Sequence, residues 1–91
     1  MAYRWKITKD YLAEGMSPEC DDAGTEGPRG LNRDINSNPA VFHMYDDDGQ
    51  VYYRGMIYGS YTGSEPLDDF GFPSAGCTLI KIKGQWIEAN G

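Results

Sequence analysis

Val41–Tyr58, VFHMYDDDGQVYYRGMIY, carries two aromatic-rich runs on either side of Asp46-Asp47-Asp48-Gly49. Val, Phe, Tyr and Ile suit a pleated, half-buried strand. Asp and Gly supply the local hydrogen bonding and positive φ of a tight reversal. The stretch reads as a β-hairpin, Val41–Tyr45 paired with Gln50–Tyr58, and this decides the fold. Gly55 interrupts the second arm and predicts a bulge or a bend there.

The flanks extend the sheet. From Tyr3 to Thr8 the chain alternates, with Tyr3, Trp5 and Ile7 on one side and Arg4, Lys6 and Thr8 on the other, a half-buried strand. Asp10 is placed to cap a helical turn to Glu14, and Gly15 to end it. Gly15 to Pro39 reads as a long ordered loop, with a short helix around Leu31 to Ile35 and Met16, Leu31 and Ile35 as anchors. Ser60 to Gly76 is a second irregular stretch, from which Phe70 and Phe72 either plug the core or stand exposed. With Lys83-Gly84 as a two-residue turn, Ile82 faces Gln85, Lys81 faces Trp86 and Ile80 faces Ile87. Ile80, Ile82 and Ile87 then share one buried face. The expected fold is mainly β, α+β at most. It is a small twisted antiparallel sheet or partly open barrel of about five strands, with long ordered loops and one or two short helical turns.

Bulk composition limits the rest. A chain of 91 residues makes one domain, 1–91, burying about 60–65% of its unfolded surface. Its apolar content of 40%, with 13% aromatic, supports a core despite 12 glycines. Fourteen acidic against 8 basic residues leave a net charge of −6. That charge repels phosphate backbones and argues against direct nucleic-acid binding. Cys20 and Cys77 are far apart and in no metal-like spacing, though a disulfide between them is possible. MAYRWKITKD has no apolar export region, and no apolar run reaches membrane length. The expectation is a cytoplasmic protein with reduced thiols. Composition sets no oligomeric state.

Several clusters invite chemistry. The triple aspartate superficially suggests a calcium loop, but Tyr52 and Tyr53 stand where further oxygen ligands belong, so a solvated turn is expected. Gly24-Thr25-Glu26-Gly27-Pro28-Arg29-Gly30 lacks the Lys-Ser/Thr pair of a phosphate-binding loop, and Arg29 reads as structural. His43 is the only histidine; nucleophilic catalysis would need it beside Cys20, Cys77 or a serine. Glu65, Asp68 and Asp69 beside Phe70 and Phe72 form the strongest candidate, a partner-binding loop. Asp68 is also suited to capping a turn after Pro66. The tyrosines around the hairpin divide between core and contact surface. No catalytic signature, metal-ligand set or cofactor motif stands out.

The runs WKITKD (5–10), GTEGPRG (24–30), DDDGQVYY (46–53), EPLDDFG (65–71) and Gly76-Cys77 resemble a group of small hypothetical proteins of bacteria and their phages. Small acidic phage-type proteins include inhibitors of host defence, anti-CRISPR proteins among them, and the resemblance implies such a role without assigning residues. The leading expectation is a non-enzymatic inhibitor of a host nucleic-acid-handling, CRISPR-like complex. It would bind a protein with a basic surface through Glu65, Asp68, Asp69, Phe70 and Phe72. The alternative is a small enzyme or ligand binder using residues 60–76, with Asp68 or Asp69 reacting and His43 or Arg29 completing the pocket.

Overall fold

The computed structural model describes residues 3–12, 22–28 and 37–89. The hairpin forms as expected, from β3 (Ala40–Tyr45) and β4 (Val51–Gly59). Asp46 organises its tip: Oδ1 accepts from the N–H groups of Asp48 and Gln50, both at 2.9 Å. Gly49 follows at φ 80°, a conformation that favours glycine. The three aspartates are a turn.

Around this hairpin lie β1 (Tyr3–Asp10), β2 (Glu26–Gly27), β5 (Leu79–Ile82) and β6 (Gln85–Glu88). They form one open sheet of order β2-β1-β4-β3-β5-β6, antiparallel at every step. The β5–β6 register is the expected one, Ile82 to Gln85, Lys81 to Trp86 and Ile80 to Ile87. Lys83 (φ 51°) and Gly84 (φ 77°) make its two-residue turn. Ile80 and Ile82 are buried and Ile87 packs beside them. A sixth strand, β2, lies inside the stretch read as loop. Two residues carry no periodicity, so only their partners reveal them.

Gly55 is not itself bulged. It pairs squarely with Ile7 on β1 and Phe42 on β3. The extra residues are Thr8 on β1, between the pairs Ile7–Gly55 and Lys9–Arg54, and Tyr52 on β4, between Met44–Tyr53 and Tyr45–Val51. The Thr8 bulge shifts the alternation, so that Asp10 turns toward the core side. Asp10 is buried, and its carboxylate accepts from Leu12 N–H (2.9 Å) and Asp22 N–H (3.0 Å). These bonds meet the need of a buried charge for partners. Asp10 therefore ties down the chain after β1; the rest of the expected turn to Gly15 lies outside the described residues, as do Cys20, Arg29 and the short helix at 31–35.

One sheet face carries the core: Trp5, Ile7, Phe42, Met44, Tyr53, Ile57, Ile80 and Ile82. Each large apolar side chain so buried contributes about 1.5–3 kcal/mol. Covering it is a π-helical turn, Leu67–Gly71, that runs into α1 (Phe72–Ala75). Leu67 and Cys77 seal the layer, and Gly71 packs so closely that a Cβ there would lie 2.5 Å from the Met44 sulfur. The sequence concealed this element because Pro66, Gly71 and Pro73 look like breakers. Pro66 and Pro73 stand at helix starts, where a missing N–H costs little.

Candidate functional site

The five predicted site residues separate. Glu65 turns inward: Oε2 accepts from Thr62 N–H (2.7 Å) and Oε1 from Gly63 N–H (2.8 Å), so it shapes the loop before the helical turn. Asp68 sits half-buried on that turn. Phe70 packs on the core, its ring 5.8 Å from Trp5 and 5.3 Å from Tyr53 between centroids. Phe72 is exposed over a separate hollow shared with Asp47, Leu79 and Glu88. The five residues thus have different surroundings, though none of them is fully buried.

Asp69 is the residue that builds a site. Its Oδ2 accepts two hydrogen bonds, from the Tyr3 hydroxyl at 2.8 Å and from Trp5 Nε1–H at 3.0 Å. Tyr3 and Trp5 point to the same side because β1 alternates, and the helical turn sets Asp69 above them. On the far side β2 brings Gly27 against the Trp5 indole, where a Cβ would lie 2.6 Å from the ring. The result is a cleft of about 420 Å³ lined by Tyr3, Trp5, Glu26, Pro28, Asp69 and Phe70. Its walls are aromatic and its charges acidic. Burial first, then the Asp69 hydrogen bond, then the charges of Asp69, Glu65 and Asp68 push the Tyr3 hydroxyl up to about 12. The expected acidic residues thus act on one point in space, though only Asp69 touches it. Sequence reading missed Tyr3 and Trp5 as partners, since more than sixty positions separate them from Asp69.

No protein-family model matches the chain, and no curated protein or solved structure does either.

Of the groups that the enzyme alternative needs, His43 does not meet the acids, and Arg29 lies outside the described residues. His43 stands between Phe42 and Met44 on β3, whose side chains fill the core, so it points to the opposite, open face. Asp69 and Cys77 lie on the core side. Burial, then the positive charges of Arg54 and Lys81, lower the His43 pKa below its ordinary value. Cys77 is a free, fully buried thiol, pushed up to about 12 by burial and then by Asp46. A thiol held protonated is a poor nucleophile. In a Cys20→Ser background, Cys77 is expected to resist iodoacetamide until the protein unfolds; labelling of the native protein as fast as of the urea-unfolded one would refute this. Among the described residues, no three His, Cys, Asp or Glu side chains gather to hold a metal ion. Nor is any helix among them long and apolar enough to cross a membrane.

Proposed function

We propose that the chain is a non-enzymatic protein-binding module whose cleft takes a lysine or arginine side chain from a basic protein surface. One observation carries this reading: a carboxylate, Asp69, held by Tyr3 and Trp5 at the rim of an aromatic cleft. A cation over aromatic faces gains about 0.5–2 kcal/mol, and a nearby carboxylate adds a charge-assisted hydrogen bond. Glu26 also borders the cleft, but its carboxylate is turned to Lys6, 3.9 Å away on the other sheet face, so Asp69 is the charge that the cleft offers. The net charge of −6 steers a basic partner toward the molecule. Laid on the basic surface of a nucleic-acid-handling complex, such a module competes with the nucleic acid for it. That is the inhibitor role which the resemblance to small phage proteins implies.

The test is a titration with lysine-rich and arginine-rich peptides followed by tryptophan fluorescence. Asp69→Asn keeps the shape of the rim but removes its charge, and is expected to weaken binding about tenfold, as a lost charge-assisted bond should. Asp47→Asn, in the hairpin turn, should leave affinity unchanged. Equal affinity for wild type and Asp69→Asn, or no peptide binding at all, would remove the cleft from consideration.

A further inference from the structure

The sheet has a second face, and its charge is opposite to that of the molecule. Alternation places Lys6 on β1, Arg54 on β4, His43 on β3, Lys81 on β5 and Trp86 on β6 away from the core, because their strand neighbours Trp5, Tyr53, Phe42, Met44, Ile80 and Ile82 are buried. The registers then align residues on adjacent strands. His43 lies directly opposite Arg54 on one side and Lys81 on the other, and Lys81 lies opposite Trp86. Past its bulge, β1 adds Lys9 opposite Arg54. This row crosses five strands, roughly 19 Å at the usual interstrand spacing. It contains no Asp or Glu.

Arg54 and Lys81 flank His43 and, after burial, disfavour its protonation, so the row repels any further positive charge. An anion laid along it would remove that repulsion. The same face carries stacking surfaces. Trp86 is 54% exposed. Its ring lies 4.8 Å from that of Tyr45 and 5.3 Å below the Lys81 ammonium. The His43 ring is 6.5 Å from Tyr45. Among the described residues, the only acidic side chains that the strands place on this face stand on the edge strands: Glu26, 3.9 Å from Lys6, and Glu88 opposite Leu79.

We infer that this open sheet face binds single-stranded nucleic acid, with phosphates along Arg54, His43 and Lys81 and a base stacked on Trp86 beside Tyr45. Positive groups that follow a backbone, interleaved with exposed rings, are the two components of sequence-tolerant single-strand binding. An acidic protein partner would use the charges but has no need of the rings. The net charge of −6 argued against nucleic acid only as an average over the chain. The fold separates that average, placing acids at the cleft and the hairpin tip and cations across the sheet. This inference is independent of the cleft: the two surfaces lie on opposite faces and answer to different substitutions.

The experiment is fluorescence anisotropy with a labelled oligo-dT and an oligo-U of about ten nucleotides, within the usual single-strand site range. Polyglutamate of similar length serves as competitor. Wild type is expected to bind both oligonucleotides at low salt, with log K falling linearly against log salt concentration. Arg54→Gln with Lys81→Gln should weaken binding at least tenfold and flatten that slope by about 1.4, near 0.7 per phosphate contact on a single strand. Trp86→Ala should weaken binding about tenfold with the slope unchanged, a separation that a purely ionic surface would not give. Asp69→Asn should leave oligonucleotide binding intact. All these positions are exposed, and circular dichroism is to check that each variant is folded. No oligonucleotide binding by wild type, indifference to the Arg54/Lys81 pair or to Trp86, or displacement by polyglutamate as effective as by unlabelled oligonucleotide would overturn the assignment.

Discussion

Gly55→Ala is expected to destabilise the protein by about 3 kcal/mol, at the upper end of ordinary overpacking. The position is the crossing point of the sheet, paired with Ile7 on one side and Phe42 on the other. A Cβ there would strike the Lys6 carbonyl oxygen and the tip of the Phe42 ring together. The ring is fully buried and the carbonyl belongs to the backbone of β1, so neither can yield cheaply. For a domain of this size the loss corresponds to a melting temperature lower by roughly 12–24 °C. Pairing Gly55→Ala with Phe42→Leu should recover part of what the single change loses, because the ring clash goes while the carbonyl clash stays. By contrast, Gly49→Ala has open space around its Cβ and a φ of 80°, and should cost only about 1 kcal/mol of backbone strain. Urea melts of the three variants decide the matter; a Gly55→Ala protein within 1 kcal/mol of wild type would disprove the packing argument.

The second large effect is alkaline. Tyr3 is raised from 10.0 to about 12, by burial first and then by Asp69. Cys77 is raised from 9.0 to about 12, again chiefly by burial. Tyr53 is also shifted upward, by burial and by its hydrogen bond to Asp22 at 3.1 Å. In each case the folded protein holds a proton that the unfolded chain releases at lower pH. Their contribution to stability is complete below pH 9. It declines from there as the unfolded thiol and then the unfolded phenols ionise, and is gone once pH has passed the folded values. The urea midpoint should therefore fall steeply between about pH 9 and 12. In Cys77→Ala the decline should begin nearer pH 10. In Tyr3→Phe the midpoint is lower at neutral pH, because the bond to Asp69 is lost, but the fall above pH 10 is shallower. Parallel curves for wild type and both variants would show that these groups do not couple to folding.

The strands were legible where periodicity was local. Tyr3–Thr8, Val41–Tyr58 and TLIKIKGQWIEA each alternate over several residues, and the last disclosed its register because the turn between its arms is only Lys83-Gly84. The helical turn over Leu67–Gly71 was not legible, since its prolines and glycines serve helix starts and close packing. Among the candidate site residues, composition picked the acidic loop, and the fold then gave its members different tasks. Glu65 shapes the loop, Phe70 packs, Phe72 faces a separate hollow and Asp69 remains at the cleft.

The sequence by itself determined a mainly antiparallel sheet, the aspartate turn, and which side of β1 and of the β5–β6 hairpin is apolar, because strand alternation and turn chemistry act over a few residues. Only the tertiary structure decided that Asp69 meets Tyr3 and Trp5, that His43 and Cys77 lie on opposite faces, and that Arg54, His43, Lys81 and Trp86 stand abreast. Those relations depend on registers between strands far apart in the chain. A bulge of one residue, at Thr8, suffices to change which side chains they bring together.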